Sequence, residues 1–165
     1  MKLPIVAILT PALALAVSAQ AAPAEPCAKI IPYGIAARPE PAGTLVSQVL
    51  PAKVGRFVRD EVARGAAIPA DEDFNVTYRA GKDTIFVGLS RAGSPAEVKA
   101  AVQTSRQDVV SDKRIDRRGE VYCVSSAPYF YKILDFLAWT RGPYFLYAHA
   151  SRPAVLSEFM QAFPY

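Results

Sequence analysis

Phe74-Asn75-Val76-Thr77-Tyr78-Arg79 and, beyond Gly81-Lys82-Asp83, Thr84-Ile85-Phe86-Val87-Gly88-Leu89 decide how this chain folds. Phe74, Val76 and Tyr78 alternate with Asn75, Thr77 and Arg79, and a period of two is the pattern of a half-buried strand. Gly81-Lys82-Asp83 turns the chain, and the β-branched run that follows returns as a second strand, which makes a hairpin. Ser94-Pro95-Ala96-Glu97 then forms a capping box with proline at the first helical position. Ser94 accepts from the Glu97 amide in such a box, and the Glu97 carboxylate reaches back to the Ser94 N–H. Val98, Ala101, Val102, Ser105 and Val109 follow at helical spacing, opposite Lys99, Gln103, Arg106 and Gln107. The spacing predicts an amphipathic helix over 95–110 lying on the sheet.

Outward from this unit, Arg56 to Val62 reads as a further strand. Asp112 to Gly119 is a charged loop. Glu120 to Ser125 reads as a strand that is apolar on both faces and therefore central. Tyr129 to Thr140 is ambiguous, because Phe130, Ile133, Leu134 and Leu137 fit a helix. The aromatic density, and the Arg141-Gly142-Pro143 turn before Tyr144 to Ala150, favour strands and a second hairpin. Pro153 opens a last helix with Val155, Leu156, Phe159, Met160 and Phe163 on its apolar side. The expected order is β-β-β-α-β-β-β-α, an α+β domain in which two helices pack on one face of an antiparallel sheet.

The N-terminus has a different character. Lys2 precedes an uncharged stretch from Leu3 to Ala24, and Ala19-Gln20-Ala21 has the small residues that a signal peptidase requires. Pro4 and Pro11 interrupt the apolar run, and Ser18 to Ala22 is too small and polar for an anchor, which needs about 20 apolar residues. Cys27 follows Ala24-Glu25-Pro26, which is not a lipoprotein pattern. Residues 1–21 are therefore expected to be a cleaved signal peptide, with a periplasmic or secreted mature protein. Residues 22–49 form an Ala/Pro-rich arm, in which Pro23, Pro26, Pro32, Pro39 and Pro41 discourage regular helix. Thr44 to Leu50 is a short helical turn or a strand. Residues 50–165 make one domain, enough chain to bury a core. In an oxidising compartment the two cysteines, Cys27 and Cys123, are expected to pair. No C-x-x-C redox motif is present.

Val54-Gly55-Arg56-Phe57, the hairpins, the single helix, then Trp139-Thr140-Arg141-Gly142-Pro143-Tyr144-Phe145 and a terminal helix resemble small bacterial exported proteins with a Mog1/PsbP-like layout. The resemblance spans roughly residues 50–165. It implies a domain that binds, assembles or adapts, and it brings no catalytic residues with it.

Candidate chemistry is sparse. Gly88-Leu89-Ser90-Arg91-Ala92-Gly93 places Ser90 between strand and helix, and Asp108, Asp112, Asp116 or Asp135 and then His149 follow in hydrolase order. A nucleophile elbow needs Gly-x-Ser-x-Gly, however, and residue 92 is alanine. A small serine hydrolase using Ser90 and His149 is thus the alternative rather than the leading reading. His149 is the single histidine, so no zinc site is expected. Asp71-Glu72-Asp73 lacks the glycine and distal glutamate of a calcium loop. Asn75-Val76-Thr77 matches a glycosylation sequon but falls within a strand.

The formal net charge is +4, too mixed in sign for nucleic acid. Lys113, Arg114, Arg117 and Arg118 are the densest basic cluster, diluted by Asp112 and Asp116. They suggest at most weak contact with an anionic surface, the property of an envelope structural or stress factor. Aromatics crowd between Tyr129 and Tyr147; most must be core. Trp139, Arg141, Tyr144 and Tyr147 are the expected binding surface. The leading expectation is an exported binding or accessory domain, without cofactor, that recognises a protein partner or a small apolar ligand.

Overall fold

The computed structural model describes residues 24–60 and 74–165. The expected signal peptide and Asp71-Glu72-Asp73 lie outside the described residues. The fold is α+β: among the described residues, eight strands form one antiparallel sheet in the order β1-β2-β3-β4-β8-β7-β6-β5. These are β1 (Lys53–Val54), β2 (Phe57–Arg59), β3 (Phe74–Ala80), β4 (Asp83–Arg91), β5 (Val121–Cys123), β6 (Phe130–Ile133), β7 (Phe136–Arg141) and β8 (Tyr144–Ala150). The helices are α1 (Cys27–Ile30), α2 (Val46–Val49), α3 (Pro95–Ser111) and α4 (Pro153–Ala162), with a 3₁₀ segment at Pro32–Ala37.

The central hairpin forms as expected. β3 pairs with β4 from Phe74↔Leu89 to Ala80↔Asp83 around a two-residue turn. Gly81 sits first in that turn at φ +62°, a left-handed conformation that glycine adopts without steric cost. The Arg141-Gly142-Pro143 turn likewise joins β7 to β8 through Arg141↔Tyr144. The pairing that unites the sheet is β4 with β8, running from Ile85↔Ala150 to Arg91↔Tyr144.

Four features depart from the expected arrangement. The order carries a fourth strand in each half. The strand expected over Arg56 to Val62 is Phe57–Arg59, with residues 61 and 62 outside the described residues. Lys53–Val54 is an additional short strand before it, and Tyr129 to Thr140 splits into β6 and β7 around Leu134-Asp135. Val121–Cys123 is an edge strand rather than a central one. Its apolar residues are explained by cover from outside the sheet: Cys27 bonds Cys123 on one side, and Arg106 of α3 lies over Tyr122.

The third departure concerns the helices, which take opposite faces. α3 contacts β6, β7 and β8, whereas α4 contacts β4 and β8. Val102 packs with Tyr131, Ile133, Ala138 and Phe145 on the first face. On the second, Val155, Leu156, Phe159 and Met160 join Tyr78, Ile85, Val87, Leu137, Trp139 and Leu146. Alternating residues of β7 and β8 serve the two cores in turn, as strand geometry requires.

The fourth is the arm. Two of its prolines open helical turns, Pro26 as the N-cap of α1 and Pro32 at the first position of the 3₁₀ segment, while Pro39 and Pro41 lie in irregular chain. Cys27, Ile35, Val46, Val49 and Leu50 are fully buried in the α4 core. Thr44 to Leu50 is resolved as a helical turn, α2.

α3 begins as its sequence requires. Ser94 Oγ accepts from the Glu97 amide at 3.3 Å, but the Glu97 carboxylate turns to the Gly93 amide at 2.6 Å rather than to that of Ser94.

Candidate functional site

On the α4 face, the residues of the expected binding surface are held beneath the arm. Trp139 is fully buried and meets Phe163 edge-on at 5.9 Å. Its indole N–H has no hydrogen-bond partner among the described residues, so its contribution is packing. The Arg141 guanidinium donates to the Arg38 and Pro39 carbonyls, and the Tyr144 hydroxyl donates to the Gly43 carbonyl. Arg38 in turn donates to the carbonyls of Tyr33 at 2.6 Å and Phe163 at 2.5 Å. Tyr78 donates to Pro51 at 2.8 Å. The Cys27–Cys123 disulfide fixes the start of the arm. Trp139 and Tyr144 are therefore core, and Arg141 is an arm clamp. They form no exposed patch, because Phe163 covers Trp139 and the arm, which reads in sequence as a proline-rich linker, engages Arg141 and Tyr144.

A cleft of about 520 Å³ opens where the Arg141-Gly142-Pro143 turn meets Ala92 to Pro95, Tyr129 and Glu40. Its polar groups are largely engaged within the fold. Arg141 is spent on the arm, the Glu97 amide is taken by Ser94 and the Gly93 amide by the Glu97 carboxylate, and Thr140 Oγ1 accepts from the Tyr129 amide at 2.9 Å. This cleft is the seam between arm and sheet.

Tyr147 lies on the other face, apart from its three expected companions. α3 covers β6 to β8 there and leaves the β3–β4 side open. Phe86 is 40% exposed, and Asn75, Thr77 and Arg79 remain at least partly exposed. A second cleft, about 470 Å³, runs between α3 and the sheet. Phe136, Phe145 and Tyr147 floor it, with Phe136 stacked on Tyr147 at 6.2 Å and Phe145 5.9 Å from Tyr147. Ser90, Thr104 and Asp108 rim it. The cleft exists because the residues that α3 turns to the sheet here, Ala101 and Ser105, are too small to fill the space above β4.

Ser90 and Asp108 thus share a cleft, but His149 is not with them. Ser90 pairs with Phe145, and Phe86 pairs with His149. Four positions separate the two sites, about 13 Å along the strand. His149 instead faces Asp135, with Nε2 3.7 Å from Oδ2, at a shallower cleft beside Phe86 and Arg79. The hydrolase constellation is not assembled in this arrangement.

The basic cluster is partly neutralised within its own loop. Arg114 holds Asp112 through Nε at 2.9 Å and a terminal nitrogen at 2.7 Å, which lowers the Asp112 carboxyl to about 2. Arg118 Nε holds Asp116 at 2.6 Å. Lys113 and Arg117 are exposed on the same loop.

No protein-family model matches the chain, and no curated protein or solved structure matches it significantly. The site must be read from its own chemistry. In sequence Phe136 and Phe145 stand only as members of the aromatic run that could line a pocket, and Thr104 carries no signal of its own. The available signal was the run of small residues on α3, Ala101 and Ser105, set against bulky β7 and β8.

Proposed function

We propose that this protein is an exported binding domain that holds its ligand on the α3 face of the sheet, in the cleft floored by Phe136, Phe145 and Tyr147. The observation that carries this reading is the asymmetry of the two faces. One is sealed by the arm and α4. The other has an aromatic floor only half covered by α3, with hydroxyl and carboxylate groups at the rim. Concave, mostly apolar sites with a few polar groups are the usual form of small-molecule sites. Export is supported by the expected signal peptide and by the Cys27–Cys123 disulfide, which suits an oxidising compartment.

Two measurements test the reading. Titration of small aromatic and aliphatic fragments, followed by amide chemical shifts, is expected to perturb α3, β7 and β8 around Tyr147. Shifts confined to the Arg141–Pro143 seam, or absent altogether, would sink it. Intact mass of the protein recovered from a periplasmic extract should match a chain beginning at Ala22 with both cysteines oxidised. A full-length, reduced species would remove the exported half of the proposal.

A further inference from the structure

We infer that the α3 cleft selects organic cations, small molecules with an ammonium head on an apolar body; this rests on the reading of the cleft as the ligand site. The protein as a whole is positive, at +4, so its average surface would repel such a ligand. The cleft departs from that average. Among the described residues that line it, Asp108 alone carries a charge. Its carboxylate makes no hydrogen bond or ion pair with any described residue; Ser111 donates to its backbone carbonyl.

The cations nearest in sequence on the same helix are held elsewhere. Lys99 lies 5.9 Å from the Tyr129 ring centroid. Arg106 bonds Glu120 at 2.7 Å and covers Tyr122 at 4.7 Å, toward the β5 edge. The cleft is left with one uncompensated negative charge above three aromatic rings.

That combination has a definite preference. Aromatic faces carry negative potential and attract a cation, most strongly where water is partly excluded. Phe136 and Tyr147 stack at 29°, and Phe145 extends the floor. An ammonium group near Asp108 with its apolar body on these rings satisfies both features at once. Thr104 and Ser90 supply hydroxyl acceptors for its N–H groups. A carboxylate ligand would meet Asp108 with like charge, and a neutral ligand would leave it unused. The volume, about 470 Å³, suits a single small molecule.

The test uses three probes of equal length, 4-phenylbutylamine, 4-phenylbutanol and 4-phenylbutyrate, titrated into the mature protein at low ionic strength. The amine is expected to bind roughly fivefold more tightly than the alcohol, with the carboxylate weakest. Added salt should narrow that gap. Asp108→Asn, on an exposed helix position, should abolish the preference for the amine, read as the ratio of amine to alcohol affinity in the same variant. Ala101→Leu, which narrows the cleft, should weaken all three probes. Equal binding of amine and alcohol, or a preference that survives Asp108→Asn, overturns the inference and leaves the cleft as a ligand site. Failure of all three probes to perturb the cleft overturns both.

Discussion

Tyr147 lies across Gly88 on the neighbouring strand, so close that a β-carbon at residue 88 would overlap its ring and come within 2.6 Å of Asn75 Oδ1. The absence of a side chain on β4 lets the tyrosine cross that strand and donate its hydroxyl to Asn75 on β3 at 2.7 Å. Glycine in a strand interior ordinarily weakens the strand. Here it gives the floor of the α3 cleft its shape. Gly88→Ala is expected to push Tyr147 out of this position, break its bond to Asn75 and cost about 1–3 kcal/mol, as overpacking does. Urea denaturation measures the cost, and near-ultraviolet circular dichroism reports the displaced ring. Unchanged stability would mean that Tyr147 moves without strain and that glycine is not required.

Trp139 makes the complementary prediction for the opposite face. It is the single tryptophan of the chain and is fully buried against Phe163. Its emission should be blue-shifted and poorly quenched by iodide, and Trp139→Ala should cost about 3–5 kcal/mol. An emission maximum typical of solvated indole would instead restore Trp139 as a surface residue.

The contrast between these two aromatics shows what the sequence could reveal. The β3–β4 hairpin, α3 and α4 are legible because periodicity, turn glycine and capping box act locally. Cys27 and Cys123 are legible as a pair because the compartment and the count leave no other partner. Trp139, Arg141 and Tyr144 read as a surface because they flank an exposed turn. Trp139 is met by Phe163 at the end of α4, and Arg141 and Tyr144 by an arm about a hundred residues away, through the Arg38, Pro39 and Gly43 carbonyls that no spacing encodes. The opposite placement of α3 and α4 was equally hidden. Strands with apolar residues on both faces, such as β7, allow cover from either side.

An ion cluster ties α4 to β4 and to the turn between β1 and β2, and sets an expected pH dependence. Asp83, 5% exposed, accepts from Arg56 at 2.6 Å and from Arg152 at 2.9 Å. Arg56 also grips Glu158 through two nitrogens, at 2.6 and 2.9 Å. Hydrogen bonds from Arg56, then from Arg152, hold the Asp83 carboxyl below its ordinary value, and Arg56 does the same to Glu158. Carboxyls with depressed pKa stabilise the fold above the unfolded-state value, about 4, and that contribution disappears as pH falls through the folded values. Tm should therefore be flat from pH 7 to about 5 and fall steeply below about 4. Asp83→Asn should lower Tm at neutral pH and flatten the acid limb. An acid limb identical to that of the unmodified protein would assign the pH dependence to other carboxylates.

The Cys27–Cys123 bond closes a loop with a sequence separation of 96. In the chain-entropy account, a loop of this length restrains the unfolded chain by about 4–5 kcal/mol. That is a large share of the 5–15 kcal/mol typical of a domain. Paired substitution, Cys27→Ser with Cys123→Ser, should lower the denaturation midpoint accordingly. It should also raise the denaturant slope, because the unfolded state without the cross-link exposes more surface. The arm should not detach at once, since Arg141 and Tyr144 still bond its backbone, its own Arg38 still donates to the Phe163 carbonyl, Tyr78 still holds Pro51 just beyond it, and Ile35 and Val46 remain core residues. Hydrogen exchange should then accelerate first near Cys27 and Ser126, whose hydroxyl accepts from the Cys27 amide at 2.9 Å, and last at Leu50. Uniform acceleration across the arm would show that the disulfide, rather than these clamps, holds the arm against the sheet.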